Sequence, residues 1–472
     1  MTVGEIMDSI ILDLDSAAST PLYVQLYEYI KNEILCGHMS AFEKLPSIRN
    51  LSSILNISKS TIEAAYDQLL VEGYIFSKPQ SGYYVHDISI KQSPSYPQAV
   101  NNNPSDSELI SLMSKNRFTD PVSFDFVKWK KCLNHVLTDY GDLLLIEADP
   151  QGERNLRNEI SKYVYQSRGV QCHSEQIVIG AGTQHIMHLL SIILEKMDIN
   201  HLAFEDPGFY PARKVFMDRG FDISPVPIGK DGIQVPELKK TRCRVAYVSP
   251  SHQFPLGSVM PIAKRHELLE WAYETNSFII EDDYDSELRY FSRPVPALQG
   301  LDKQEKVIYL GSFSTTLLPS TKISYIVLPG TLLKYYQEVK DNYSQTCSKI
   351  EQLTLALYMK DGLYLKHIKR LRNLYSNKVQ ILLNCLENEM EEYAKVLSHD
   401  SGIHVLLEIH SLKSSEKLCQ EASEAGIEAV PLDKFRIRQT ENKYPVILLY
   451  YTQIPISDIP NAIRNLKKVW NK

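Results

Sequence analysis

Six short apolar runs lie between residues 177 and 328: Ile177-Val178-Ile179, Leu202-Ala203-Phe204, Val245-Ala246-Tyr247-Val248, Phe278-Ile279-Ile280, Val307-Ile308-Tyr309-Leu310 and Ile326-Val327-Leu328. Most are apolar throughout and sharply bounded, the pattern of strands covered on both faces. Stretches with helical periodicity, such as 183–194 and 264–274, lie between them. Strands alternating with helices predict an α/β fold with a mainly parallel sheet, whose ligands bind at the C-terminal ends of the strands. Beyond about residue 340 the pattern turns helical, then strand-rich at His404-Val405-Leu406-Leu407 and Val446-Ile447-Leu448-Leu449-Tyr450. A smaller α+β part is expected to close the chain.

Polar residues gather at those strand ends. Gly180-Ala181-Gly182-Thr183-Gln184 joins a strand to a helix, where free N–H groups and the helix dipole favour an anion. Pro250-Ser251-His252-Gln253-Phe254-Pro255-Leu256-Gly257 is a turn after another strand, and His252 reads most simply as a satisfied loop histidine. Glu281, Asp282 and Asp283 follow a third strand, ahead of Tyr284 and Asp285. On their own they read as a solvated cap or a metal cluster; with no histidine nearby in sequence, zinc is not expected. Gly311-Ser312-Phe313-Ser314-Thr315-Thr316-Leu317-Leu318-Pro319-Ser320-Thr321-Lys322 supplies hydroxyls and one cation between two strands, a composition suited to a phosphate.

The first 86 residues are organised differently. Leu22, Leu26, Ile30 and Ile34 form a helical stripe that ends at Gly37. A second helix begins at Leu45-Pro46-Ser47, with Ile48, Leu51, Ile54 and Leu55 facing inward, and Asn56 breaks it. Ser58 starts a third, with Ile62, Ala65, Tyr66, Leu69 and Leu70 inward and Gly73 at its end. Tyr74-Ile75-Phe76 and Tyr83-Tyr84-Val85 flank a turn, Lys78-Pro79-Gln80-Ser81-Gly82. Three helices and a hairpin predict a winged helix-turn-helix, whose third helix enters a major groove N-terminus first. Ser58, Lys59, Ser60 and Thr61 then suit phosphate anchoring and base-edge contact. Ser47 and Arg49 face backbone phosphates, and Lys78 with Ser81 and Gly82 reach an adjacent groove. Taken alone, these residues read equally well as solvated caps on a small helical domain. From residue 37 to 86 there are four cations (Lys44, Arg49, Lys59, Lys78) and four acids (Glu43, Glu63, Asp67, Glu72). Neutralised phosphates supply most non-specific affinity, so a single copy of this domain is expected to bind DNA weakly.

The expected division is a head at 17–86, a flexible, proline- and amide-rich linker at 87–118, and a body at 119–472, split near 340 into large and small parts. At 472 residues the chain is too long for one ordinary core. A formal charge of −6 gives no global sign of nucleic-acid binding. Seven scattered cysteines without a Cys-x-x-Cys pair predict reduced thiols in a cytoplasm, with no disulfide framework and no metal site. Glu5, Asp8, Asp13 and Asp15 at the start make a signal peptide unexpected. No run of about 18 apolar residues predicts a membrane span.

Several motifs carry a resemblance. Pro21-Leu22-Tyr23, Lys44-Leu45-Pro46-Ser47-x-Arg49-x-Leu51, Ser58-Lys59-Ser60-Thr61-Ile62, Ala65-Tyr66, Leu69-x-x-Glu72-Gly73-Tyr74 and Ser81-Gly82 together resemble a GntR-type DNA-binding domain. The chain departs at Ala64 and Lys59, where members often carry arginine. Asp149-Pro150-x-Gly152, Ser167-Arg168-Gly169-Val170, Glu205-Asp206-Pro207-Gly208, the 250–257 turn, the 281–290 stretch and 311–329 resemble fold-type I aminotransferases. With a winged helix in front, the whole resembles the MocR/GabR subfamily of GntR regulators. That resemblance implies a transcription factor, usually a homodimer with exchanged heads, on a double-stranded operator with two half-sites. It implies a body built to bind pyridoxal 5′-phosphate (PLP). Carried over, Asp282 pairs with the pyridine nitrogen, Tyr284 bonds the phenolic oxygen, and Phe209 lies near the position that usually holds a tyrosine against the ring. Gly182, Thr183, Gln184, Ser312, Ser314 and Lys322 cradle the phosphate, and Ser251 belongs to the pocket turn. Lys434 and Arg436 are the nearest counterparts of the arginine that holds a substrate carboxylate in related enzymes.

One departure decides between readings. The family's Ser-Phe-Ser-Lys-Thr-Leu is Ser312-Phe313-Ser314-Thr315-Thr316-Leu317 here. The Schiff-base lysine is Thr315, which has no amine for the covalent bond or the proton shuttle. Arg-x-Gly-Tyr becomes Lys322-Ile323-Ser324-Tyr325, a cation without the bidentate fork. Lys322 is not expected to replace the missing lysine. A regulator with a catalytically inactive body and no covalently bound cofactor is expected. The alternatives are a working PLP-dependent aminotransferase, against which Thr315 argues, and a regulator that holds PLP or another small anionic effector non-covalently.

Overall fold

A computed structural model describes residues 14–15, 18, 20–87, 122–291, 295–399, 402–439 and 443–471. The chain divides into two compact units, Met1–Glu108 and Leu109–Lys472. The expected linker lies outside the described residues except for Asp87.

In the first unit, α1 (Leu22–Leu35) buries Leu26, Ile30 and Ile34. Helix α2 (Ile48–Leu55) is capped by Ser47, whose hydroxyl accepts from the Asn50 amide at 3.3 Å, and stops at Asn56 in a left-handed conformation. Helix α3 (Lys59–Val71) is capped in the same way by Ser58. Strands β1 (Ile75–Lys78) and β2 (Gly82–Val85) form the antiparallel wing. The expected winged helix-turn-helix is present, with one correction. Ile54, expected inward, is exposed. At 100° per residue it sits roughly a quarter turn from the direction shared by Leu51 and Leu55, and only Leu51 of this short helix is fully buried.

The second unit opens with α4 (Phe126–Asp139) and α5 (Arg154–Arg168), then alternates. Strand β3 (Ile177–Ala181) leads to α6 (Thr183–Glu195), β4 (His201–Asp206) to α7 (Tyr210–Asp218), and β5 (Asp222–Gly229) through β6 (Gly232–Ile233) to α8 (Val235–Thr241). Strand β7 (Val245–Val248), α9 (Ile262–Glu274), β8 (Phe278–Asp283), β9 (Val307–Ser312) and β10 (Ile323–Val327) complete the sheet, in the order β3-β10-β9-β8-β7-β4-β5-β6. It is mainly parallel, as expected. Strand β10 runs against both neighbours because a short helix-free loop joins it to β9. Leu328, expected within that strand, lies just past its end. The sequence pattern missed β5, which carries Pro225 and Pro227. The Pro227 carbonyl accepts from the Gln234 amide on the outer side, so these prolines turn their missing donors away from β4.

Alternation along β8 sets the site. Phe278 and Ile280 pack with residues of α6, α7 and α10 (Gly330–Val339), and Ile279 packs with α8 and α9. Asp282 therefore continues one face, and Glu281 with Asp283 the other. Helices α11 (Lys349–Lys360) and α12 (Leu363–Met390) lead into the small part. There β11 (Ala394–Ser398), β12 (His404–Ile409), β13 (Ala429–Pro431) and β14 (Val446–Tyr450) form an antiparallel sheet, backed by α13 (Ser415–Glu424) and α14 (Ile459–Trp470). A second apolar cluster, Phe254, Leu406, Leu432, Phe435, Val446 and Leu448 with Phe209 and Tyr284 against it, joins this sheet to the large part at the strand ends.

Candidate nucleic-acid interface and cofactor-like pocket

On the head, Lys59, Ser60 and Arg49 are exposed. The Ser58 hydroxyl oxygen lies 2.8 Å from those of both Ser60 and Thr61, so three hydroxyls cluster at the start of α3. On the wing, the Lys78 ammonium sits 4.6 Å from the Tyr84 ring centroid and Lys44 approaches the same ring at 5.9 Å. The Ser81 and Tyr84 hydroxyl oxygens are 2.6 Å apart, and that bond holds the Tyr84 phenol below its ordinary pKa. Gly82, at φ +109°, occupies a conformation that side chains rarely adopt. The pairing of Lys44 with Tyr84 is not visible in the sequence, because it depends on the hairpin register.

In the body, the β8 carboxylates are sorted by the pleat. Asp282 accepts a 2.5 Å hydrogen bond from the Tyr247 hydroxyl, and Tyr247 stacks on Phe204 at 4.8 Å. Burial pushes the Asp282 carboxyl up to about 7, against the lowering effect of that bond. On the opposite face, Glu281 accepts from the Leu298 and Gln299 amides. Asp283 accepts from Arg168 at 2.7 Å and from the Tyr309 hydroxyl at 2.6 Å. The acids thus play separate roles, and among the described residues no group of three or more His, Cys, Asp or Glu is arranged to hold a metal ion.

Tyr284 and His252 form the next layer. Tyr284 Oη lies 2.9 Å from His252 Nδ1, which also meets both Asp285 carboxylate oxygens at 2.9 Å. His252 is buried and satisfied. His404 stacks beyond it at 6.2 Å, its pKa pushed down to about 3 by burial. Phe209 caps the start of α7 and packs edge-on against Phe254 at 5.7 Å.

The phosphate-type loop runs between β9 and β10. Gly311 is required because a Cβ there would lie 2.3 Å from the Tyr325 ring. Ser312 Oγ accepts from the Ser314 amide at 3.2 Å and from the Ser324 hydroxyl at 2.9 Å. Thr315 Oγ1 donates to the Tyr284 carbonyl at 2.7 Å. Lys322 is exposed, with φ +49°. Gly182 and Thr183 open α6 without a side-chain cap, leaving its first amides to solvent or a ligand, and Gln184 is exposed beside them.

Ser251 is placed differently from the expectation. Its hydroxyl accepts from Arg168 at 2.5 Å, within the buried network around Asp283. Arg436 is half-buried with Asp433 3.3 Å away, and Lys434 is exposed. Tyr247, Ser324 and Arg168 were not singled out as site residues; their roles depend on partners 12 to 115 positions away in the chain.

The fold and these sites define a winged-helix DNA-binding regulator with an aminotransferase-like body. Residues 22–85 match the family model for bacterial regulatory proteins, gntR family, and residues 114–442 match aminotransferase class I and II. The chain is 39% identical to the HTH-type transcriptional regulator YdeL of Bacillus subtilis, over 97% of this chain and 98% of that protein. It is 31% identical to the probable rhizopine catabolism regulatory protein MocR of Rhizobium meliloti, over 90% of this chain and 89% of that one. An archaeal alanine:glyoxylate aminotransferase shares the body fold, with a TM-score of 0.67 and 24% identity over 75% of this chain and 89% of the other. The chain belongs to the MocR/GabR subfamily of GntR-type transcription regulators.

Proposed function

We propose that this regulator senses a small molecule through its body without covalent chemistry, and that the body is catalytically inactive. The Thr315 hydroxyl carries the reading: it stands where the resemblance places a lysine, and it is bonded to the Tyr284 carbonyl. The remaining residues fit PLP held without a covalent bond. Asp282 would meet the ring nitrogen, Tyr284 the ring oxygen and Phe209 the ring, while Gly182, Thr183, Gln184, Ser312, Ser314 and Lys322 would hold the phosphate. PLP supplies an electron sink to enzymes that link it to lysine; here these residues bind and orient, and none supplies an amine at Thr315. The same donors suit another anionic effector.

On DNA, Ser47, Arg49, Ser58, Lys59, Ser60 and Thr61 face one half-site, and Lys78, Ser81 and Gly82 touch the flanking groove. The balanced charge of residues 37–86 supports action as a homodimer on two half-sites, since one neutral head offers few phosphate contacts. The test is absorption spectroscopy with added PLP. The protein as it stands is expected to show no band of a lysine-linked cofactor, and Thr315→Lys is expected to gain one. A band in the unaltered protein would refute the non-covalent reading. Its absence in a folded Thr315→Lys variant would refute the fit of the remaining pocket.

A further inference from the structure

A cavity of about 620 Å³ opens between the end of α5, the segment after β8 and α12, away from the phosphate-type loop. Among the described residues four cations line it: Arg168, Arg289, Lys369 and Arg372. Asp283 offsets Arg168 at 2.7 Å. Arg372 donates to the Arg289 carbonyl at 3.2 Å, which fixes its guanidinium, and Lys369 is exposed. Among the described residues Glu287 is the single acid in the lining, and its Oε1 accepts from the Tyr163 hydroxyl at 2.7 Å. Its Oε2 is buried without a hydrogen-bond partner among the described residues. Arg372 and Lys369 therefore bring two cationic groups to a space large enough for a metabolite. Arginine forks bind carboxylate and phosphate oxygens in pairs.

We propose that this cavity binds a metabolite-sized organic anion, a carboxylate or a phosphate ester, on Arg372 and Lys369. The carboxyl of Glu287 faces any donor the ligand carries. The site is distinct from the cofactor-like pocket but shares structure with it. Arg168 donates to the Ser251 hydroxyl and Arg289 Nη1 donates to the Ser251 carbonyl at 3.1 Å. Ser251 precedes His252, which meets the Tyr284 hydroxyl. An anion bound on Arg372, whose guanidinium is tied to the Arg289 carbonyl, thus bears on the turn that shapes the pocket, whether or not PLP is bound there.

The test is calorimetric titration of the full chain with citrate and, separately, with glycerol 3-phosphate, at matched ionic strength. Binding of at least one probe is expected, weakened at least tenfold in the Lys369→Gln/Arg372→Gln double variant. Citrate binding alone assigns a carboxylate ligand, and glycerol 3-phosphate binding alone a phosphate ester. Should the double variant not fold, Lys369→Gln at its exposed position carries the test, with a severalfold loss expected. No binding of either probe, or binding that survives these substitutions, would overturn the proposal. So would binding lost in Lys322→Gln instead, which would place the anion on the phosphate-type loop.

Discussion

Thr315 Oγ1 donates a 2.7 Å hydrogen bond to the main-chain carbonyl of Tyr284, tying the phosphate-type loop to the strand end that carries Asp282. A group in this position stabilises the pocket instead of reaching into it. Thr315→Val keeps the shape and removes the donor, so the half-buried carbonyl loses its partner. A loss of about 1–2 kcal/mol is expected, measured by denaturant unfolding. Unchanged stability would show the bond to be replaced by water.

Ser324 occupies the position where the family resemblance places glycine, and its hydroxyl donates to Ser312 at 2.9 Å. That donation takes one of the two acceptor sites of Ser312 and fixes its rotamer. Ser324→Gly frees Ser312 to turn toward a phosphate. PLP affinity, read by fluorescence titration, is expected to rise by about threefold to tenfold, the equivalent of one hydrogen bond. Weaker binding would mean that Ser324 holds the loop in its binding shape.

Buried carboxyls make the body sensitive to pH. Burial pushes Glu205 up to about 8 and Asp282 to about 7, from ordinary values of 4.5 and 3.8. The folded state then holds protons that the unfolded state has released. Their contribution to stability is therefore full below about pH 4 and is lost as pH rises through 7 to 8, by up to about 1.4 kcal/mol per pH unit for each group. Glu205→Gln keeps an acceptor for the Ser249 amide and the Gln253 side chain, both of which now donate to Oε2. The variant is expected to melt higher than the parent at pH 8 and close to it at pH 5. Parallel melting curves across that range would refute the assignment to Glu205.

On the head, Arg49 is exposed beside the capped start of α2. As a phosphate contact, Arg49→Ala should weaken binding to all DNA sequences alike and reduce the slope of log affinity against log salt by about 1. A sequence-dependent loss would make Arg49 a base reader, and an unchanged affinity would remove it from the interface.

Much of this molecule is legible in its sequence because it depends on local pattern. The apolar runs at 177–179, 202–204, 245–248, 278–280 and 307–310 are strands because burial on both faces demands apolar residues at every position. The departure at Thr315 is visible because the resemblance places a single lysine in a fixed motif there. What escaped depends on distant partners or on geometry. Pro225 and Pro227 hid β5, which tolerates them only because their missing donors face outward. Ser251, expected in the pocket, bonds instead to Arg168, 83 positions away in the chain. Asp282 and Asp283 are adjacent in sequence yet separated by the pleat, one meeting Tyr247 and the other Arg168.

The most direct test of the account is borohydride reduction of the protein in the presence of PLP, followed by peptide mass mapping. No lysine of the aminotransferase-like pocket is expected to carry the reduced cofactor. A stoichiometric adduct on Lys322, the cation of the phosphate-type loop, would contradict it and restore covalent chemistry to the body.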